Sequence, residues 1–112
     1  MKLNDVGQIL GTRTLNLGES QTVIVTLGAP QKYPESEDDY FCAYQIVGIG
    51  DGRVRYAIGI DALQALFLTL KKIGADLYTT PEAKSGALSW VGQAVKGDLG
   101  FPVPDAIKDL LP

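Results

Sequence analysis

The chain has 112 residues, 46% of them hydrophobic and 21% charged, which is the length of one domain with one core and the composition of a globular rather than a disordered protein. Its formal net charge of -3 repels phosphate backbones and sets nucleic acid aside as a partner. Histidine is absent, so Ser-His and Cys-His nucleophile pairs, a histidine general base and an imidazole metal site are excluded.

The segment Met1 to Gly7 carries one basic residue and no continuous apolar run, so it does not have the form of a signal peptide. Ile9 to Leu17 and Ser20 to Leu27 then read as a β-hairpin. Leu15 and Leu17, and Val23, Val25 and Leu27, alternate with polar residues across a Gly18-Glu19 turn. Pro30 to Asp39 holds two prolines and the carboxylates of Glu35, Glu37, Asp38 and Asp39, which predicts an exposed acidic connection. The EF-hand spacing of oxygen ligands and its central glycine are missing there, so no calcium site is predicted.

Tyr40 to Val47 is rich in aromatic and β-branched residues and predicts a largely buried strand. Cys42, the one cysteine, falls inside it as a small buried hydrophobe with no partner for an intrachain disulfide, which suits a reducing compartment. Gly48-Ile49-Gly50-Asp51-Gly52 has neither the G-x-G-x-x-G spacing before a helix nor the terminal Lys-Ser/Thr of a phosphate loop, and reads as a hairpin connection. Arg53 to Ile60 follows as a strand, with Arg53 and Arg55 on its solvent side.

Asp61 precedes a helical pattern in which Leu63, Leu66, Phe67, Leu70 and Ile73 form an apolar stripe widened by Ala62, Ala65 and Leu68. Asp61 caps the helix with Gln64 reaching back, while Lys71 and Lys72 in the last turn and a terminating Gly74 predict its end. The near-apolar run from Ala62 to Leu70 is interrupted by Gln64 and Thr69 and is too short to cross a bilayer, so no membrane partner and a cytoplasmic location are predicted. Thr80-Pro81 opens a short helical turn, Leu88 to Val91 reads as a small strand or an apolar peg, and Asp105 to Leu111 as a final short helix. The predicted fold is one α+β domain, residues 1–112, a four-stranded antiparallel sheet of two hairpins packed on one main helix, with an irregular C-terminal tail wrapping the core.

The run Gly52-Arg53-Val54-Arg55-Tyr56-Ala57-Ile58-Gly59-Ile60-Asp61-Ala62-Leu63-Gln64-Ala65-Leu66, continued by Ile73-Gly74-Ala75-Asp76-Leu77-Tyr78 and Asp98-Leu99-Gly100-Phe101-Pro102, resembles a family of small bacterial domains of unknown function. These are strand, cap and loop signatures. The resemblance implies a bacterial or phage origin and a common fold, and carries over no activity and no functional residue.

No catalytic residue, metal ligand or cofactor is predicted. Small size, acidic charge and the acidic connection point to a non-catalytic protein-binding module, immunity-type or regulatory, whose protein partner meets Glu35, Glu37, Asp38, Asp39 and the aromatic anchor Trp90. The alternative is a small-molecule-binding domain or an unrecognised enzyme, with a site between sheet and tail where Tyr56, Tyr78 and Trp90 converge. A third reading is self-association through an exposed strand edge, which leaves monomer and homodimer both open.

Overall fold

A computed structural model describes residues 1–91 and 97–103. The predicted hairpins are present: β1 (Ile9–Leu17) pairs antiparallel with β2 (Gln21–Gly28), and β4 (Tyr40–Val47) with β5 (Arg55–Gly59). The sheet has six strands rather than four, because β3 (Gln31–Lys32) and β6 (Leu88–Ser89) add two-residue pieces. Pieces that short carry no alternation, so neither has a sequence signal of its own.

β4 is the centre of the architecture. β5 runs along one of its edges, while β3 and then β2 share the other, and β1 and β6 extend the sheet beyond β2. The main helix α1 (Ala62–Tyr78) packs on β4 and β5, followed by the single turn α2 (Pro81–Lys84). Leu15, Val23, Val25 and Tyr44 meet Ile73, Leu77 and Tyr78 of α1 in the main core, each large apolar side chain stabilising the fold by roughly 1.5–3 kcal/mol. The second face of the sheet is covered as well, where Val6, Phe41 and Ala43 pack with Leu3, Tyr33, Val54 and Tyr56.

Both helix starts are locally specified as predicted. Asp61 Oδ1 accepts from the Gln64 amide at 2.8 Å while Gln64 Oε1 accepts from the Ile60 amide, and Thr80 Oγ1 accepts from Ala83 N with Pro81 at the first position. The end of α1 differs from expectation: the helix continues through Gly74 to Tyr78. Gly74 serves close approach instead of termination, since a Cβ there would lie 1.9 Å from the Pro102 carbonyl oxygen. Lys71 and Lys72 are therefore mid-helix, and Lys72 donates to the Tyr56 carbonyl.

The buried stripe of α1 is also rotated from the predicted one. Ala65, Thr69, Ile73, Gly74, Leu77 and Tyr78 are buried, whereas Leu63 and Phe67 are exposed. Gly59 explains the rotation at the helix start, because its missing side chain lets Ala65 sit against β5, with a Cβ on Gly59 falling 2.4 Å from Ala65 N. The segment Leu99–Val103 lies as a strap over the C-terminal half of the helix. The helix predicted over Asp105 to Leu111 lies outside the described residues.

Candidate functional site

Three regions hold the residues with chemistry to offer. The first is the acidic connection, a turn organised by its own bonds: Tyr33 N donates to Asp39 O at 2.9 Å, Asp39 N to Ser36 Oγ at 3.4 Å, and the Tyr33 hydroxyl to Glu35 at 2.6 Å. Accepting that bond, Glu35 holds the Tyr33 phenol in its protonated form and, with some desolvation, pushes it up to about 12. Glu35, Glu37 and Asp38 are exposed and Asp39 is half-buried.

The β4–β5 ladder pairs Tyr40 with Gly59, so one residue further along Asp39 stands across from Ile60. Asp39, the last residue of the acidic turn, thus lies near the start of α1, where Ile60, Leu63 and Phe67 are 71%, 77% and 52% exposed. Leu63 and Phe67 share helical spacing, Ile60 precedes the cap, and Lys71 Nζ lies 4.6 Å from the Phe67 ring centre. The sequence placed Leu63 and Phe67 in the core, whereas both are exposed.

The second region is the strap. Trp90 is half-buried with the Arg13 guanidinium 3.9 Å from its ring, and the same guanidinium lies 4.7 Å from Phe101. Arg13 also donates to the carbonyls of Leu99 and Gly100 at 3.4 and 2.9 Å. Tyr78 hydroxyl accepts from Leu99 N at 3.0 Å and donates to Phe101 O at 3.1 Å, and burial raises its pKa. Tyr78 and Trp90 are thus brought to one region, but the protein's own Leu99 and Phe101 fill it. Tyr56 is not brought there: it packs on the opposite face of the sheet with Phe41 and Tyr33.

The third region is a cleft of about 210 Å³ between the β4–β5 loop and the C-terminal end of α1, absent from the sequence reading. Gly48, Gly50 and Gly52 all have positive φ and shape the loop as a hairpin connection. One wall carries Arg53 and Arg55, both exposed on the solvent side as predicted and gathered around Asp51 at 3.8 and 3.5 Å. The Arg53 backbone amide, donating to Asp51, holds that carboxyl below its ordinary pKa, and the two guanidinium groups add to the effect. Opposite stands Asp76 on α1, which accepts from the buried Tyr44 hydroxyl. Burial first, and then the bond to Asp76, raises the Tyr44 pKa strongly.

Cys42 is buried, with its thiol donating to Gly28 O at 2.9 Å, and burial pushes its pKa up, as befits an unreactive core residue. Among the described residues no group of three or more Cys, Asp or Glu side chains is placed to hold a metal, and no helix is long and apolar enough to cross a membrane.

Neither curated proteins nor solved structures give a match to the chain. A family model does match, over residues 11–103, which takes in the sheet, α1 and the strap, and the chain therefore belongs to the family described as Domain of unknown function (DUF6968).

Proposed function

We propose that this domain is a non-catalytic protein-binding module that recognises its partner with the end of the molecule formed by the start of α1 and the acidic turn. The observation that carries the reading is the exposure of Ile60, Leu63 and Phe67, with Asp39 at the end of the acidic turn one step beyond the Tyr40–Gly59 pair and so across from Ile60. Large apolar side chains clustered on one exposed surface and rimmed by charge are the composition of a docking patch. The occupant that fits is a protein segment with an apolar face and basic flanks, since the carboxylates outnumber the neighbouring Lys32 and Lys71 and the whole chain carries -3.

The carboxylates steer association and the apolar residues hold the complex. Trp90 supports the module by fixing the strap under Arg13. The segment signatures around Gly52–Leu66 support a bacterial or phage source, the buried lone Cys42 supports a reducing cytoplasmic setting, and small size with acidic charge supports an immunity-type or regulatory role.

Co-purification from the native host tests the reading with three baits: the wild type, Leu63→Ser with Phe67→Ser, and Glu35→Gln with Glu37→Gln, Asp38→Asn and Asp39→Asn. A stoichiometric protein partner retained by the wild type and lost from the serine variant is expected, with slower and more salt-dependent capture by the neutralised variant. A partner held equally by all three would overturn the assignment of this surface.

A further inference from the structure

We propose that the cleft between the β4–β5 loop and the end of α1 binds a small zwitterion of the α-amino-acid class, its carboxylate on Arg53 and Arg55 and its ammonium group on Asp76. This site is separate from the docking surface, and neither reading depends on the other.

The arginines and Asp76 lie on different walls of the cleft, with Asp51 on the arginine side. Arg53 and Arg55 stand on the loop and β5 side, and Asp76 on the α1 side, near the helix C-terminus, where the helix dipole adds negative potential. Arg55 and Asp76 line the same cleft without forming an ion pair with each other; among the described residues, the ion pairs are those of Asp51 with Arg53 and Arg55. Those contacts, at 3.8 and 3.5 Å, are long for guanidinium-carboxylate hydrogen bonds, so the planar donor forks keep capacity for a second carboxylate. Asp51 holds the two arginines on one side without consuming them.

Across the cleft, Tyr44 is a positioning residue. Its buried hydroxyl donates to one oxygen of Asp76 and fixes the orientation of the carboxylate, leaving the other oxygen for an ammonium group. A ligand carrying both charges satisfies both walls. An anion alone leaves Asp76 opposed by negative charge, and a cation alone meets the arginines. Ile46 and Ile49 supply an apolar surface within the same lining, which suits an aliphatic side chain. A cleft of about 210 Å³ has room for a ligand of amino-acid size.

Amide-resolved NMR titration of the intact chain tests this with L-leucine, leucinamide and N-acetyl-leucine, and with L-alanine and glycine for side-chain preference. Saturable shifts centred on Gly50, Gly52, Thr79 and Thr80 are expected with L-leucine. At least a tenfold weakening is expected for leucinamide, which lacks the carboxylate, and for N-acetyl-leucine, which lacks the ammonium group. Arg55→Gln and Asp76→Asn are expected to abolish the L-leucine shifts, while Leu63→Ser with Phe67→Ser leaves them unchanged. Should Asp76→Asn fail to fold, the blocked analogues on the wild type still decide the question. No saturable shift at the cleft with any of the three amino acids, or equal binding of L-leucine and its blocked forms, would overturn the proposal.

Discussion

The two halves of α1 carry one apolar stripe and meet different surroundings. Toward the C-terminus, Gly74 and Tyr78 lie beneath the strap, which Arg13 and the Tyr78 hydroxyl hold by side-chain bonds to its backbone. Toward the N-terminus, Leu63 and Phe67 continue the same face at helical spacing and are exposed. Covering one half requires two aromatic rings, an arginine and a glycine that admits a carbonyl. Among the described residues nothing comparable lies over Leu63 and Phe67, although Ala65 and Thr69 of the same half are buried against the sheet.

Substitutions along the helix should reproduce that division. The largest effect is expected at the covered end, where Ile73→Ala or Leu77→Ala removes a fully buried side chain and costs about 2–5 kcal/mol by chemical denaturation. Gly74→Ala follows, at about 1–3 kcal/mol, because its methyl group must displace the strap; Trp90 fluorescence should shift to the red as the ring becomes wetter. An unchanged Trp90 spectrum in a folded Gly74→Ala variant would show that the strap does not depend on close approach.

Arg13→Ala should cost about 1–2 kcal/mol and increase hydrogen exchange at Leu99 and Gly100, and Arg13→Lys should not restore protection, since a lysine cannot stack a planar group between the rings of Trp90 and Phe101. A pH prediction follows from the phenols of Tyr44 and Tyr78, both raised above the ordinary value of 10.0 mainly by burial. Above about pH 10 the unfolded chain loses those protons while the folded one keeps them, so their stabilising contribution is complete below pH 10 and declines as pH rises. Tyr44→Phe should flatten the decline, measured as denaturation midpoint against pH. The smallest change belongs to the bare end: Leu63→Ser with Phe67→Ser should leave stability within about 0.5 kcal/mol.

Much of the scaffold was legible because its signals are local. The alternation in β1 and β2, the aromatic run of β4, and the caps at Asp61 and Thr80 each depend on residues a few positions apart, and each is present. The same reasoning misjudged the end of α1, because Gly74 next to two lysines has the composition of a helix stop while its use is set by Pro102, far along the chain. It likewise assigned Leu63 and Phe67 to the core, because an apolar stripe shows which side chains share a face and not which of them is covered. The acidic turn was visible as composition, but its position beside Ile60 required the β4–β5 register. The cleft was not visible at all, since Tyr44 and Asp76 are joined only when α1 folds back across β4.

Hydrogen exchange of the domain in complex with its captured partner is the most direct test of the contrast between the two halves of α1. The expected result is new protection at Ile60 to Phe67 and in the turn from Glu35 to Asp39, with Gly74 to Tyr78 and the strap unchanged. Protection that appears over the strap and the covered half of α1, with Ile60 to Phe67 still exchanging as in the isolated domain, would contradict it.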